Sequence, residues 1–376
     1  MPSCRFAKAW LVISFVFATS AFAAQPDSLP AAEFSRLIQT FSEEGGYFFS
    51  DNFTSNEDSY LTVVEKMKEL GATGGAYVGV GPEQNFTYIA KVRPRIAFIV
   101  DIRRQAIIQH LMYKAIFQLS PTPADFLSML LSRPMKEKPP GPNDPIGDVV
   151  AYLSGIPTDS HAYTENLAAI SKMIQQDFKF PLSKEDQASL DYVYRNFRNQ
   201  GFEIGFDFNG TWSRRFGHLP VLREIILQKD PNGKLGNFLA GLNDYGFVRD
   251  MQRRNMIIPV VGDFGGTKAL AAVGDYLREN GYIVSVFYAS NVEIVLFNYG
   301  MSSSAFPAFA ENIRKLPTND RSLLIRSTFY YYGHPLQQPG YKLCTMLQNI
   351  SVFLRDYAEG RYQDYRDLIR THYIVP

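Results

Sequence analysis

Ala76-Tyr77-Val78-Gly79-Val80-Gly81-Pro82-Glu83-Gln84-Asn85-Phe86, followed by Ile96-Ala97-Phe98-Ile99-Val100-Asp101, is the stretch that decides the fold. It reads as strand, glycine turn, helix, second strand, then an acid, which is the order of a βαβ unit. Asp101 stands about 20 residues beyond Gly81, the separation of a nucleoside-binding unit. Glycines let backbone approach a ligand that a Cβ would push away. A carboxylate at the end of the second strand can accept hydrogen bonds from both ribose hydroxyls. The third glycine of the dinucleotide fingerprint is missing, and Asn85 and Phe86 stand in its place. The helix then presses less closely on the strand, which suits a mononucleoside better than a dinucleotide. A plain βα turn of any α/β domain remains the alternative.

Downstream, the same rhythm returns. Met256 to Val261 is an apolar run ending in Gly262-Asp263-Phe264, and Gly265-Gly266-Thr267-Lys268 opens a helix from Ala269 to Asn280. Tyr282 to Tyr288 forms the next strand and ends in Ala289-Ser290-Asn291-Val292-Glu293. Leu323 to Tyr331 forms another and delivers Gly333-His334-Pro335 to a loop. Polar residues thus gather at the ends of three parallel strands: Asp101, Asp263 and Asn291 with Glu293. In open α/β sheets that edge is where ligands bind. Structural readings stay open beside this one: Asp263 as a helix cap, Asn291 and Glu293 as turn and cap residues, His334 as a loop residue.

These segments resemble a class I S-adenosylmethionine-dependent methyltransferase domain, within an uncharacterised bacterial family of that fold. The resemblance rests on Tyr77 to Phe86, Asp101-Ile102-Arg103, Pro259 to Phe264 and Phe287 to Glu293, and is expected to extend over about half of the chain. It implies an α/β, Rossmann-like methyltransferase-type sheet with helices on both faces. It implies S-adenosylmethionine as cofactor, with Gly79 and Gly81 along its amino-acid end, Asp101 on its ribose and Asp263 beside its adenine. Asn85 and Phe264 lie in the matching segments and complete the cofactor set. Asn291 and Glu293 would occupy the catalytic edge, Glu293 as a base, with His334 as a second candidate base. Methyl transfer from a sulfonium needs chiefly near-attack alignment.

With 376 residues, 46% of them hydrophobic, the chain can hold one large α/β domain with a substantial insertion, or two domains. A net charge of +1 without a long basic run argues against nucleic acid as a partner. A small nucleoside-type ligand is expected instead. Residues 1–24 read as a signal peptide: Arg5 and Lys8, a short apolar segment from Ala9 to Ser20, then Ala21-Phe22-Ala23 as a cleavage site. That predicts an exported protein, periplasmic or secreted, with no stable membrane span after cleavage. Export separates the chain from the cytoplasmic supply of the cofactor. A second reading is therefore an exported non-catalytic binding or scaffold protein on the same fold.

The expected organisation is 25–133 as an N-terminal cap and the first half of the α/β domain, 134–250 as a mainly helical insertion, 251–340 as the second half, and 341–376 as C-terminal helices. The proline-rich run 134–145 marks the first boundary. The loop from Ser50 to Glu57 reads as either a ligand-facing segment or a surface loop, with Ser55 and Asp58 as a capping box for a helix from Tyr60 to Leu70. Cys344 lies in an apolar, helical context and reads as an inert buried thiol. No zinc-ligand spacing and no G-x-S-x-G motif occurs, so no metal is expected. Gly262 to Lys268 resembles a phosphate loop, but Thr267 breaks its spacing.

Overall fold

The computed structural model describes residues 25–207, 214, 217–298 and 305–375. The expected signal peptide lies outside these residues. Six strands make one sheet: β1 Ala76–Gly79, β2 Ile96–Asp101, β3 Ile257–Val261, β4 Val284–Ser290, β5 Leu323–Phe329 and β6 Leu343–Asn349. Their order is β3-β2-β1-β4-β5-β6. The first five are mutually parallel, and β6 runs antiparallel to β5. The chain winds outward from β1 through β2 to β3, then from β4 to β5 in the other direction. The switch point between β1 and β4 leaves a crevice at the carboxyl ends of the strands.

Strands β1 to β4 form where the sequence is mostly apolar on both faces, while β5 also buries Arg326, Ser327 and Thr328. Every residue of β1, β2, β3 and β5 is buried, as a parallel sheet covered by helices requires. Pro259, which has no N–H to give, is tolerated because β3 is an edge strand. That edge is capped by the segment after helix α1 (Ala31–Phe41): Glu43 N donates to Val261 O at 2.9 Å, and Val261 N to Ser42 Oγ at 3.0 Å. At the opposite edge Ile374 N donates to Leu347 O of β6 at 2.7 Å. Both exposed ladders are thus shortened.

Helix α2 (Val64–Glu69) ends at Gly71, whose φ of +71° suits glycine. Helix α3 (Gln84–Val92) connects β1 to β2, and helix α4 (Arg104–Leu119) follows β2. Between α4 and β3 lie the helices Pro123–Leu130, Ile146–Ser154, Ser160–Gln176, Lys184–Gln200, Leu222–Ile226 and Leu242–Arg253. No strand interrupts them among the described residues. Those at 160–176, 184–200 and 242–253 pack on α4. Ser183 caps one of them through a capping box with Asp186. No described helix is long and apolar enough to cross a membrane.

Two expectations are corrected. The C-terminal stretch is not all helical: it opens with β6, which carries Cys344, before the helices Ile350–Ala358 and Tyr365–Arg370. Residues 343–348 are buried, because the free side of β5 needs a partner. The helix expected from Tyr60 begins only at Val64, and Ser55 with Asp58 does not cap it. Asp58 instead accepts from the backbone of Lys342 and Leu343, tying this loop to the start of β6.

Candidate functional site

The turn after β1 is held by one side chain. Asn85 Nδ2 donates to the carbonyls of Val80, Gly81 and Pro82 at 2.8–3.0 Å, while its Oδ1 accepts from Tyr77 Oη at 3.0 Å. Gly79 makes the room for this. A Cβ there would stand 2.1 Å from Asn85 Oδ1 and 2.8 Å from Tyr77 Oη. Gly81 has φ +81° and open space where its side chain would be. His110 on α4 braces the same turn, its Nε2 donating to Gly81 O at 2.9 Å. Burial pulls the His110 imidazole down to about 4, so it is a neutral donor at neutral pH.

A cavity of about 110 Å³ opens beside this turn at the switch point. Gly81, Asp101, Asp263, Phe264, Ser290 and Asn291 all line it. The ends of β1, β2, β3 and β4 therefore converge on one space, as the sequence suggested. Most of the wall is apolar, with Phe206 from the helical segment and Tyr47 and Phe48 at the rim. Tyr47 is 81% exposed. Asn52, which has φ +48°, also lines the space, and its buried Oδ1 has no hydrogen-bond partner.

The polar groups on this wall are unequal. Asp101 is clamped by Arg103, whose backbone N and Nε donate to Oδ1 at 2.9 and 3.1 Å and whose Nη2 donates to Oδ2 at 2.9 Å. Three of the carboxylate's roughly four acceptor sites are thereby filled. One is left on Oδ2, so Asp101 can take one ribose hydroxyl rather than two. Arg103 also donates to the carbonyl of Asp51, pinning the loop that carries Asn52. An aspartate with an arginine two residues later was the sequence signal for this clamp. Asp263 accepts Gly265 N at 2.9 Å through Oδ1, and no described group bonds its second oxygen.

The following helix, Ala269–Glu279, is capped by Glu43 rather than Asp263. Glu43 Oε1 accepts from Lys268 N and Ala269 N at 2.9 and 2.8 Å, and Oε2 accepts from Asp263 N at 3.1 Å. A Cβ on Gly266 would come within 2.6 Å of Glu43 Oε2. The chain's own carboxylate fills the place a phosphate would take at this helix start.

Four expected site residues are placed away from the cavity wall. Gly79 and Asn85 shape the turn from behind. Glu293 is 1% exposed and paired with Arg326, whose Nε donates at 2.7 Å and Nη2 at 3.1 Å. Burial pushes the Glu293 carboxyl up while Arg326 opposes the shift. His334 donates from Nε2 to Ile369 O at 2.7 Å and accepts Leu336 N at Nδ1 at 3.1 Å, which uses both ring nitrogens. Cys344 Sγ lies 3.5 Å from that Nδ1, and burial pushes its thiol up to about 12, so it is inert.

The residue that sequence reasoning missed is Glu57. It is fully buried behind the cavity wall and takes four donors. Tyr288 Oη and Ser290 Oγ donate to Oε1 at 2.7 and 2.6 Å, and Ser327 Oγ and Gln84 Nε2 donate to Oε2 at 2.6 and 3.2 Å. Burial raises its carboxyl above the ordinary value, against those hydrogen bonds. Glu83, just before α3, is pushed up to about 7 by burial and accepts Ser55 N. Among the described residues no cluster of three or more His, Cys, Asp or Glu side chains could hold a metal ion.

A search of curated proteins found no match. A family model described as a domain of unknown function, DUF7790, matches residues 52–138 and 158–374. That range includes the turn, the Asp101–Arg103 clamp, Glu57 and the ends of β3 and β4, but not Tyr47 or Phe48. The chain belongs to this domain-of-unknown-function family.

Proposed function

We propose that the cavity binds a nucleoside-type ligand, with S-adenosylmethionine as the candidate cofactor, in a methyltransferase-like protein whose acceptor is unidentified. The observation that carries this reading is the convergence of Gly81, Asp101, Asp263 and Asn291 on one space at the switch point. The wall also has unmet polar capacity: the orphan Asn52 Oδ1, the second oxygen of Asp263 and one site on Asp101. These acceptors suit an amine and a single hydroxyl. Phe264 offers an aromatic face for a base, and the exposed Tyr47 stands at the rim, where a ligand larger than the cavity would emerge.

Bound there, S-adenosylmethionine would supply an electrophilic methyl group. The chain's own part would be orientation and exclusion of water, because in-line displacement depends mostly on alignment. Glu293 and His334 take no part in this proposal, since each is spent on a buried partner. The exported address belongs to the same proposal, and sequencing the amino terminus of protein recovered from a periplasmic extract tests it.

Titration calorimetry of the purified chain with S-adenosylhomocysteine and S-adenosylmethionine tests binding. Saturable heat is expected, weakened about tenfold or more in Asp263→Ala, in line with a lost hydrogen bond of about 1.4 kcal/mol. Absence of heat with both ligands in the wild type refutes it. That result would favour the non-catalytic binding or scaffold reading, which the clamped Asp101 supports: its carboxylate already serves the fold.

A further inference from the structure

Ser290 lies on the cavity wall and donates to the buried Glu57. It closes β4 just before the helix Val292–Asn298, with φ +54°, a conformation a non-glycine residue seldom adopts. The ladder to β5 shifts register between Tyr288 and Ser290. Strain of this kind persists where the surroundings enforce it, and it concentrates at functional sites. Here it sets a hydroxyl at the end of a central parallel strand, on the cavity wall and 2.6 Å from Glu57 Oε1. A serine on a sharp strand-to-helix turn, with its oxygen at the top of the sheet, is the arrangement of a nucleophile elbow. The sequence Tyr288-Ala289-Ser290-Asn291-Val292 hides it, because the flanking glycines of the usual motif are absent.

Glu57 qualifies as the base by geometry. It is sealed from water, and Tyr288, Ser327 and Gln84 fix its orientation. The other acids of the cavity wall do not bond Ser290: Asp101 is committed to Arg103, and Asp263 accepts Gly265 N; away from the wall, Glu293 is committed to Arg326 and His334 to Ile369. We propose that Ser290 is a nucleophile with Glu57 as its general base, and that the pair takes up an activated acyl or sulfonyl donor in this cavity. Ser290 Oγ forms the new bond to the carbonyl carbon or sulfonyl sulfur. The bond to the leaving group breaks, and the leaving group departs with its electron pair as an anion. The Ser290 proton moves along the existing hydrogen bond to Glu57, which becomes neutral. The raised carboxyl of Glu57 suits it to accept that proton.

This activity goes beyond the nucleoside reading and needs no cofactor, so failure of either leaves the other testable. The probe is phenylmethanesulfonyl fluoride, whose ring matches the apolar lining and whose leaving group is fluoride. Mass spectrometry of the digested wild-type chain is expected to place one adduct on Ser290, absent in Ser290→Ala. The labelling rate should rise with pH as Glu57 ionises. Glu57→Gln, shown folded by circular dichroism, should label at least about 100-fold more slowly and lose the pH dependence, since a positioned base contributes 10²–10⁴-fold. If Glu57→Gln does not fold, Ser327→Ala decides. It removes a donor from Glu57 on the side away from Ser290, makes the carboxylate more basic and should shift the pH profile upward. No adduct on Ser290, equal labelling of folded Glu57→Gln, or an unmoved profile in the Ser327→Ala test overturns the proposal.

Discussion

Asp101→Ala removes the carboxylate that holds Arg103, and the structure sets the cost. The two side chains are 4% and 7% exposed, two hydrogen bonds join them, and the Arg103 backbone N–H donates a third to Asp101. Deleting the acid leaves a buried guanidinium that still donates to the Asp51 carbonyl, its one other partner among the described residues. Removing one member of a buried pair costs about 3–5 kcal/mol, because the survivor stays desolvated and uncompensated. Arg103→Met in the same chain removes that survivor, so the double variant should recover at least about 2 kcal/mol relative to the sum of the singles. Urea unfolding followed by circular dichroism measures all four corners of the cycle. A cost below about 1 kcal/mol for Asp101→Ala, or strict additivity, would refute the account of Asp101 as a structural clamp. The result also governs how ligand binding is read. A weakened variant at this position reports a lost contact only if its fold is intact, so Asp101→Asn, which keeps one acceptor oxygen, is the better binding control.

Gly79→Ala should destabilise more than Gly81→Ala. The first forces Asn85 out of the turn, whereas the second costs about 1–2 kcal/mol of left-handed backbone strain in open space; thermal melts rank them. Glu43→Ala should cost about 1–2 kcal/mol by uncapping the helix Ala269–Glu279, read from chemical denaturation. Lys114, buried between Phe34 and Phe178 with its ammonium on the Gln252 carbonyl, is pulled down to about 7 by burial. Between that value and 10.5 the unfolded chain holds the extra proton, so stability should rise with pH across this window, by up to about 1.4 kcal/mol per unit. Lys114→Met should flatten that slope in denaturation curves at pH 7.5 and 9.5, and an unchanged slope counts against it.

How legible each element was follows from where its partners lie. β1 to β4 could be read because a strand buried on both faces is a mostly apolar run, and Gly or Asp closes β1, β2 and β3; β5 could be read from its apolar start Leu323-Leu324-Ile325, although Arg326, Ser327 and Thr328 follow. The segment Leu343–Asn349 mixes Thr345 and Gln348 with leucines in a pattern compatible with a helix. What makes it a strand is the open side of β5, a tertiary fact outside its own window. The same distance hides Glu57. Its donors Gln84, Tyr288, Ser290 and Ser327 lie 27 to 270 positions away, so a local reading shows only an acid at the end of a polar loop. Glu293 is the converse case. Its place after β4 suggested chemistry, and Arg326, 33 residues on, turns it into a buried structural pair.

The two glycines show why a motif underdetermines a site. Gly79 and Gly81 are alike in sequence, but the space at Gly79 belongs to Asn85 and Tyr77, and only the space at Gly81 faces the cavity. The bare backbone of this turn therefore performs two jobs: one glycine admits the peg that rigidifies the loop, and the other leaves room for a ligand. A missing third glycine is the same fact seen from the helix, because Asn85 occupies that region and bonds three carbonyls. Those carbonyls are turned toward the peg, so the turn offers a ligand an open surface at Gly81 more than a set of free acceptors. Recognition must then come from the neighbouring strand ends and the loop before α2, where Asp263, Ser290 and Asn52 supply polar atoms. A ligand that fits must match those three groups, so substitutions among them should change ligand preference, while Gly79 and Asn85 variants should change stability.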